Sequence, residues 1–157
     1  MSETPTPIAP KPPPPSPARS ANMARIGSAD TTPELAVRQL LHRLGYRFRL
    51  HRRSLPGTPD ICFPRRKKAI FVHGCFWHRH EGCRRTTMPE TRASFWQDKF
   101  QKNVARDRAN LRDLGQLGWS VMVIWECETT NLEILAARLT GFLDRTAPRS
   151  ADGNGLQ

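Results

Sequence analysis

Apolar residues first recur at helical spacing after the segment Thr32-Pro33-Glu34. This segment has the composition of a helix start, with threonine as N-cap, proline at the first helical position and an acid in the first turn. The positions that follow at i, i+3, i+4 and i+7 are all apolar, namely Val37, Leu40, Leu41 and Leu44. We therefore predict an amphipathic helix from Thr32 that is terminated by Gly45.

Alternation and short apolar runs, which are typical of strands, replace this pattern after Gly45. Residues 46–50 alternate as a half-buried strand, and a second strand begins at Asp60 after a loop with proline and glycine at 54–59. Residues 69–73 are apolar enough for a central strand. Basic residues at 65–68 form a turn between the last two, so the three strands fit consecutive hairpins.

The second half of the chain returns to helical spacing. Residues 92–117 predict a long helix whose apolar set is Phe95, Trp96, Phe100, Val104, Leu111 and Leu114. A buried strand is predicted at 119–127 and an amphipathic helix at 132–142. The order α, three strands, an insertion, α, β, α predicts an α/β fold with a central mixed sheet flanked by helices.

Composition divides the chain into three parts. Residues 1–22 hold eight of the 14 prolines and almost no large apolar residue, which predicts a disordered or polyproline-like tail. We expect one folded domain at 23–146 and a flexible C-terminal tail at 147–157. No stretch approaches the ~20 apolar residues of a membrane span, and no secretory signal is visible, so we expect a cytoplasmic protein.

The charge of the chain points to a polyanionic partner. The formal net charge is +11 and the pI is about 10.7. Arginine pairs at 52–53, 65–66 and 84–85 suit bidentate contacts with phosphate and guanine. The alternative is a solvated basic face without a ligand. At this pI we favour a nucleic acid as the partner.

The segment from Cys75 to Cys83 concentrates thiols and imidazoles, which are the ligands of zinc. Cys127 follows a strand that can run beside residues 69–73, so it can reach the same ion. The fourth ligand must be one of three histidines, His73, His78 or His80. We predict a closed, structural zinc site formed by Cys75, His80, Cys83 and Cys127. The alternative is a group of reduced cysteines without metal, whereas Cys62, within a strand, is predicted to be a core thiol.

One acid and two further histidines are suited to phosphate chemistry. Asp60, at the start of a strand, can hold Mg²⁺ against a phosphate, although a lone Pro-Asp pair is also a common turn. His73 and His78 lie on either side of Cys75 in the sequence and can supply a base for water, although a lone histidine is usually structural. Phe76 and Trp77 suit a wedge that enters a base stack, with a small core beneath the zinc loop as the alternative. Trp96 is a third candidate for this wedge.

Three segments place these residues in a known family. They are the run from His73 to His80 with Pro59-Asp60 before it, the run from Lys102 to Asp107, and the run from Val123 to Cys127. Together they resemble the very short patch repair (Vsr) endonucleases of bacteria, over about residues 21 to 145. The resemblance implies a restriction-endonuclease-like fold with a zinc-binding loop insertion. It also implies nicking of one DNA strand on the 5′ side of the T in a T·G mismatch, which arises when 5-methylcytosine deaminates.

The resemblance also implies a role for individual residues. Asp60 would be the carboxylate ligand of the catalytic Mg²⁺, His78 the general base and His73 a second active-site imidazole, with Glu34 and Asp107 as nearby acids. The structural Zn²⁺ set would be the four residues already chosen. The implied DNA contacts are Met23, Phe76, Trp77, Trp96, Lys99 and Asn103. The implied partners are double-stranded DNA containing a T·G mismatch and mismatch-repair proteins, for a monomeric, nucleoid-associated enzyme.

The chain departs from the usual restriction-type pattern at Phe71-Val72-His73, which stands where Glu-x-Lys would be expected. A relative has threonine at the position of Val72, where the backbone carbonyl reaches the metal. Valine supplies that carbonyl as well, so Val72 is expected to be the second Mg²⁺ ligand. The rival interpretation is a zinc-stabilised DNA-binding module without catalysis. Asp60 argues against it, because an isolated acid would repel phosphate in a pure binding module.

Overall fold

The computed structural model describes residues 29–145, and its first element is helix α1, Thr32–Arg43. The N-cap is Thr31, one residue before the predicted Thr32. The Thr31 hydroxyl accepts a hydrogen bond from the backbone N–H of Glu34 and donates one to the Glu34 carboxylate. This Thr-x-x-Glu pairing satisfies a free helix N–H, so Thr31 is the N-cap and Thr32, which was predicted to be the cap, is the first helical residue.

A four-stranded sheet with the order β1-β2-β3-β4 forms the centre of the fold. Its strands are β1 (Arg49–Leu50), β2 (Ile61–Phe63), β3 (Lys68–His73) and β4 (Ser120–Trp125). The first three pair antiparallel as the predicted hairpins, and β4 runs parallel to β3. The predicted mixed α/β sheet flanked by helices is confirmed.

Strand β1 is shorter than the predicted 46–50. Arg49 pairs with Cys62, so residues before Phe48 would face Pro64, where β2 gives way to a 3₁₀ turn, Pro64–Arg66. Proline has no N–H to offer a ladder, and pairing therefore stops. Tyr46 and Phe48 instead pack against the hydrophobic core from outside the strand.

The remaining helices are α2 (Ala93–Gln116) and α3 (Leu132–Asp144), with a 3₁₀ helix, Glu126–Thr130, after β4. Of the six apolar residues predicted to face the core from α2, Phe100 and Leu114 are buried and Phe95 is 47% exposed. The helix therefore contacts the molecule along a narrow stripe. Its remaining surface stays open beside the Cys/His segment.

The core lies between α1, α3 and one face of the sheet. Its buried members are Val37, Leu40, Leu41, Ile61, Phe63, Ile70, Val72, Ile124, Leu135, Leu139 and Leu143. Cys62 is fully buried, as expected for a core thiol. None of the helices between residues 29 and 145 combines the length and apolar character of a membrane span. The predicted tails at 1–22 and 147–157, and Met23, lie outside the described residues.

Candidate active site and metal centre

Asp60 lies where the β2–β3 ladder ends. Its Oδ2 accepts a hydrogen bond of 2.7 Å from the backbone N–H of Val72. Val72 lies on β3 two residues beyond Ile70, where the pairing with β2 ends. Its side chain is 16% exposed. Burial raises the pKa of Asp60 from 3.8 to about 6, although the Val72 N–H opposes this shift. The carboxylate is therefore held in place by the backbone of β3 while its charge is poorly compensated.

His78 and Asp107 form a hydrogen-bonded pair. The His78 Nδ1 lies 2.6 Å from Asp107 Oδ2, and both side chains are largely buried. Asp107 projects from the middle of α2, and His78 is placed by a turn in which its N–H bonds the Gly74 carbonyl. An ionised carboxylate at Nδ1 holds the proton on that nitrogen and leaves Nε2 as the acceptor. The pair therefore has the arrangement of a general base and its orienting acid.

His73 joins this pair to Asp60. As the last residue of β3, it follows Val72 directly, and its ring stacks on His78 with centroids 3.9 Å apart and an interplanar angle of 8°. Burial lowers the pKa of His73 to about 4, and repulsion from His78 contributes. A neutral His73 ring therefore fixes the plane of His78 at the end of β3, the strand whose Val72 N–H binds Asp60. The structure brings three predicted residues together, His73, His78 and Asp107, and it places Asp60 against the backbone of the residue before His73.

Glu34 lies close to this site but is engaged elsewhere. Its carboxylate accepts hydrogen bonds from the backbone N–H of Asp30, the hydroxyl of Thr31 and the guanidinium of Arg38. The Glu34 side chain is 4% exposed. Its negative charge contributes to the raised pKa of Asp60. Glu34 thus anchors Arg38, and its role as an acid near the active site stays a prediction.

Two residues of this region, Arg38 and His51, were missed by the sequence analysis. The Arg38 Nη2 lies 2.9 Å from His51 Nε2, and His51 Nδ1 lies 4.0 Å from Asp60 Oδ1. His51 continues the β1–β2 ladder, donating its backbone N–H to the Asp60 carbonyl. A histidine opposite the predicted metal-binding acid across a hairpin was the available signal. It stands beside Arg52-Arg53, and the sequence analysis gave it no role.

The four predicted zinc ligands meet at one point. One donor atom from each of Cys75, His80, Cys83 and Cys127 lies within 4.8 Å of the other three. His80 Nδ1 is 3.4 Å from Cys127 Sγ and 3.7 Å from Cys75 Sγ. A tetrahedral zinc with bonds of ~2.0–2.3 Å needs donors roughly 3.3–3.8 Å apart, so the group has the right size.

The sheet explains why these four residues converge. His73 pairs with Trp125 in the parallel β3–β4 ladder, so Cys75 and Cys127 each lie two residues beyond a matched pair. The His80 ring stacks on Trp125, with centroids 4.3 Å apart. Burial raises the pKa of the Cys75 thiol to about 12. A cation among the thiols would offset the cost of a buried thiolate, so this donor set fits zinc.

Phe76 and Trp77 belong to an aromatic cluster with Trp96 and Phe100 of α2. The Phe76 ring lies 5.2 Å from Phe100 and 5.9 Å from Trp96, measured between centroids. Phe100 is buried, whereas Phe76, Trp77 and Trp96 are partly exposed. The rings therefore form a small core at their base and an aromatic surface at their top. Both interpretations of Phe76-Trp77 describe part of this arrangement.

The other predicted DNA contacts lie against this cluster. The Lys99 ammonium is 5.3 Å from the Trp77 ring centroid and 5.6 Å from that of Trp96. The Asn103 amide donates to the Trp77 carbonyl at 3.2 Å. The Arg79 guanidinium carbon lies 4.2 Å from the centroid of the Phe100 ring. Lys99, Asn103 and Arg79 thus hold the aromatic surface in place.

The sequence of this chain is similar to those of several known proteins. A family model described as DNA mismatch endonuclease Vsr matches residues 15–85. The chain is 52% identical over 122 residues to the type II nicking enzyme V.XorIIP of Xanthomonas oryzae pv. oryzae, covering 78% of this chain and 89% of that protein. It is 44% identical over 117 residues to the DNA mismatch endonuclease Vsr of Escherichia coli, covering 74% of each.

A third relative, the type II nicking enzyme V.NmeAIP of Neisseria meningitidis, is 40% identical over 121 residues, which cover 77% of this chain and 86% of that protein. These matches decide against the rival interpretation of a DNA-binding module without catalysis. The chain belongs to the Vsr family of DNA mismatch endonucleases, and it is an endodeoxyribonuclease.

Proposed function

We propose that this protein nicks one strand of double-stranded DNA on the 5′ side of the T in a T·G mismatch, in a reaction that depends on Mg²⁺. The observation that supports this most strongly is that the last two residues of β3 engage both parts of the site. The Val72 N–H binds the Asp60 carboxylate, and the next residue, His73, stacks on the hydrogen-bonded His78–Asp107 pair. Hydrolysis of a phosphodiester bond uses a carboxylate that can hold a metal ion and a general base, and this strand end is next to both.

The residues around Asp60 fit a hard cation. Oxygen is the ligand that Mg²⁺ prefers, and the Asp60 carboxylate with the Val72 carbonyl would hold the ion. The raised pKa of Asp60 reflects a buried carboxyl without a counter-charge at bonding distance. When bound, Mg²⁺ would polarise the scissile phosphate and stabilise the departing 3′ oxygen.

The chain's own residues perform the proton transfer. His78 Nε2 accepts a proton from the attacking water, while Asp107 keeps Nδ1 protonated and stabilises the imidazolium that forms. His73, stacked on His78 and neutral because of burial, prevents the ring from turning away. The products carry a 3′ hydroxyl and a 5′ phosphate.

Selectivity for a mismatch rests on the aromatic cluster. A mismatched pair unstacks at lower cost than a matched pair, so a supported ring can enter beside it. Phe76 and Trp77 present such rings, with Trp96 from α2. Lys99 and Asn103, which lie against these rings, contact the DNA, and the resemblance adds Met23 as a further DNA contact. The zinc site formed by Cys75, His80, Cys83 and Cys127 is structural and fixes the loop that carries the rings.

The remaining features follow from the same function. We infer a restriction-endonuclease-like fold, because the active-site acid precedes a hairpin strand and the parallel strand β4 extends the sheet beyond it. We also infer a monomer that works in the cytoplasm, bound to the nucleoid, and hands its nick to mismatch-repair proteins. Residues 23–146 form the enzyme, and the segments at 1–22 and 147–157 are tails.

A panel of hairpin duplexes tests the proposal. Each duplex carries one mismatch, T·G, A·C, T·C or G·A, or none, in the same flanking sequence, with each strand labelled separately. Nicking should be confined to the T strand of the T·G duplex, immediately 5′ of the T. Equal cutting of matched duplex, or a nick in the G strand, would contradict it.

A further inference from the structure

A line of polar groups, buried at Glu34 and Arg38 and partly exposed at His51, runs from the start of α1 towards Asp60 and is not used by the mechanism above. Glu34 is held by Thr31 and by the backbone N–H of Asp30. Arg38, one helical turn later, donates to Glu34 at 3.0 Å and to Asp30 at 2.6 Å. The same guanidinium reaches His51 Nε2 at 2.9 Å. His51 is thus the last member of the line before the active-site carboxylate.

Arg38 determines which hydrogen-bonding role each nitrogen of His51 has. A guanidinium can donate hydrogen bonds but cannot accept them. The His51 Nε2 beside it must therefore be the acceptor, and the ring proton must lie on Nδ1. That Nδ1 is the nitrogen that lies 4.0 Å from Asp60 Oδ1. His51 consequently presents a donor, and not a base, to the metal-binding acid.

His51 and Asp60 face each other because of the hairpin. Leu50 pairs with Ile61, so His51 and Asp60 are the next opposed pair, joined by the backbone bond from the His51 N–H to the Asp60 carbonyl. The two oxygens of Asp60 then have different neighbours. Oδ2 is bound by the Val72 N–H, and Oδ1 faces His51 Nδ1.

The cost of this arrangement argues against a purely structural role. Arg38 is 9% exposed, and among residues 29–145 its Nε is a buried polar atom without a hydrogen-bond partner. Buried ion pairs are weak contributors to stability, and an unpaired buried donor is unfavourable. In addition, His51 has a positive φ of 43°, which is uncommon for a residue with a side chain.

We propose that His51, oriented by Arg38, is a positioning residue that holds the Asp60 carboxylate in the rotamer that binds the catalytic cation. The proposal rests on the proposed function, since it concerns the same Asp60. Groups that orient a metal ligand in this way typically contribute about tenfold to a hundredfold in metal affinity or activity.

Two variants of His51 and one matched control separate the roles. His51→Ala removes the donor, whereas His51→Gln keeps an acceptor for Arg38 and a donor for Asp60 on one amide. His42→Ala is the matched control, because His42 is an exposed histidine of α1 that packs on Phe48 and lies outside the line. For each, Mn²⁺ binding at the Mg²⁺ site is measured by calorimetry on the zinc-loaded protein, with Asp60→Asn defining the signal of that site. Nicking is measured as a function of Mg²⁺ concentration.

His51→Ala should weaken Mn²⁺ binding and raise the Mg²⁺ concentration for half-maximal nicking by about tenfold or more. His51→Gln should recover most of both, and His42→Ala should change neither. Unchanged Mn²⁺ binding in His51→Ala overturns the proposal, as does an equal loss in both His51 variants accompanied by a lower melting temperature. If the wild type binds Mn²⁺ but does not nick DNA, the proposed function fails, while the calorimetry still decides the role of His51.

Discussion

The buried carboxyl group of Asp60 lowers the stability of the fold at neutral pH. Its carboxyl is buried without a cation, and its pKa is raised to about 6 from 3.8. The folded protein therefore binds this proton more tightly than the unfolded chain does. The stability that results is fully present below pH 4 and is lost as the pH rises through 6, by up to about 3 kcal/mol.

Asp60→Asn should remove this loss in the absence of Mg²⁺. The asparagine carbonyl oxygen can still accept the Val72 N–H, but it has no charge to desolvate. Thermal melts in Mg²⁺-free buffer should show the variant melting above the wild type at pH 8, with the difference shrinking towards pH 4.5. A difference of the same size at both pH values would show that burial of the Asp60 charge is not its cause.

The sequence was sufficient to identify those site residues that are recognisable by residue type and spacing. His73, His78 and Asp107 converge because the end of β3, the turn after it and a helix face bring them together. Asp60 binds the backbone N–H of Val72, the residue before His73. The roles of Arg38 and His51 were not predictable in the same way. An arginine in an amphipathic helix is usually on the solvent-exposed face, so Arg38 gave no sign of a buried role. His51 lies opposite Asp60 because of the register between β1 and β2, which the sequence does not specify.

At the scale of elements, the segment between β3 and α2 has no regular secondary structure to hold it in place. Residues 74–92 contain neither a helix nor a strand, yet they carry His78 and the aromatic pair. The segment is tied down by the cluster of four predicted zinc ligands and by Thr86, whose hydroxyl donates to the Cys75 and His80 carbonyls. Gly82 has a φ of +71°, a conformation that glycine adopts without strain, so the loop can turn between His80 and Cys83.

Metal analysis of the purified protein should give close to one zinc per chain. Cys83→Ala should lose that zinc and most of its soluble, folded fraction, because a structural zinc contributes folding energy directly. Cys62→Ala is the matched control, since Cys62 lies in β2 away from the cluster and should retain one zinc. A zinc-free wild type with normal stability would contradict the structural role of this site.

The aromatic cluster divides into a base and a top that substitutions can separate. Phe100 is 3% exposed, so Phe100→Ala should cost about 3–5 kcal/mol of stability. Trp77 is partly exposed, so Trp77→Ala should lower the melting temperature much less while weakening T·G binding by about tenfold to a hundredfold. Matched-duplex binding, which rests on phosphate contacts, should barely change.

Thermal melts and binding titrations on the two variants provide the measurement. A Trp77→Ala protein that loses as much stability as Phe100→Ala and keeps its preference for T·G would make Trp77 part of the core. Trp96 would then be the next candidate for the wedge.

The extent of the elements was less predictable than their existence. The element order and the hairpins follow from apolar periodicity and were confirmed. The length of β1 depended on where Pro64 turns the neighbouring strand away. The exposed face of α2 depended on tertiary packing, because of its six predicted apolar residues only Phe100 and Leu114 are buried, while Phe95 is exposed and the other three are partly exposed.

At the scale of the whole molecule, charge and architecture serve the same substrate. A net charge of +11 favours DNA of any sequence, so it cannot itself select a mismatch. In the proposed function, the aromatic surface selects the mismatch, and Asp60 with the His78–Asp107 pair cleaves the strand. The sheet joins these parts, because β3 ends in His73, between the acid of the hairpin and the loop that carries the rings.

The most direct test of this account is the single-turnover rate of nicking of one labelled T·G hairpin. We predict a cut immediately 5′ of the T, leaving a 3′ hydroxyl and a 5′ phosphate, that requires Mg²⁺. His78→Ala should slow it by ~10²-fold or more with mismatch binding nearly intact, while Asp113→Asn, on the exposed part of α2, should leave it unchanged. Cutting without Mg²⁺, or a His78→Ala rate equal to that of the wild type, would contradict the assignment of this site.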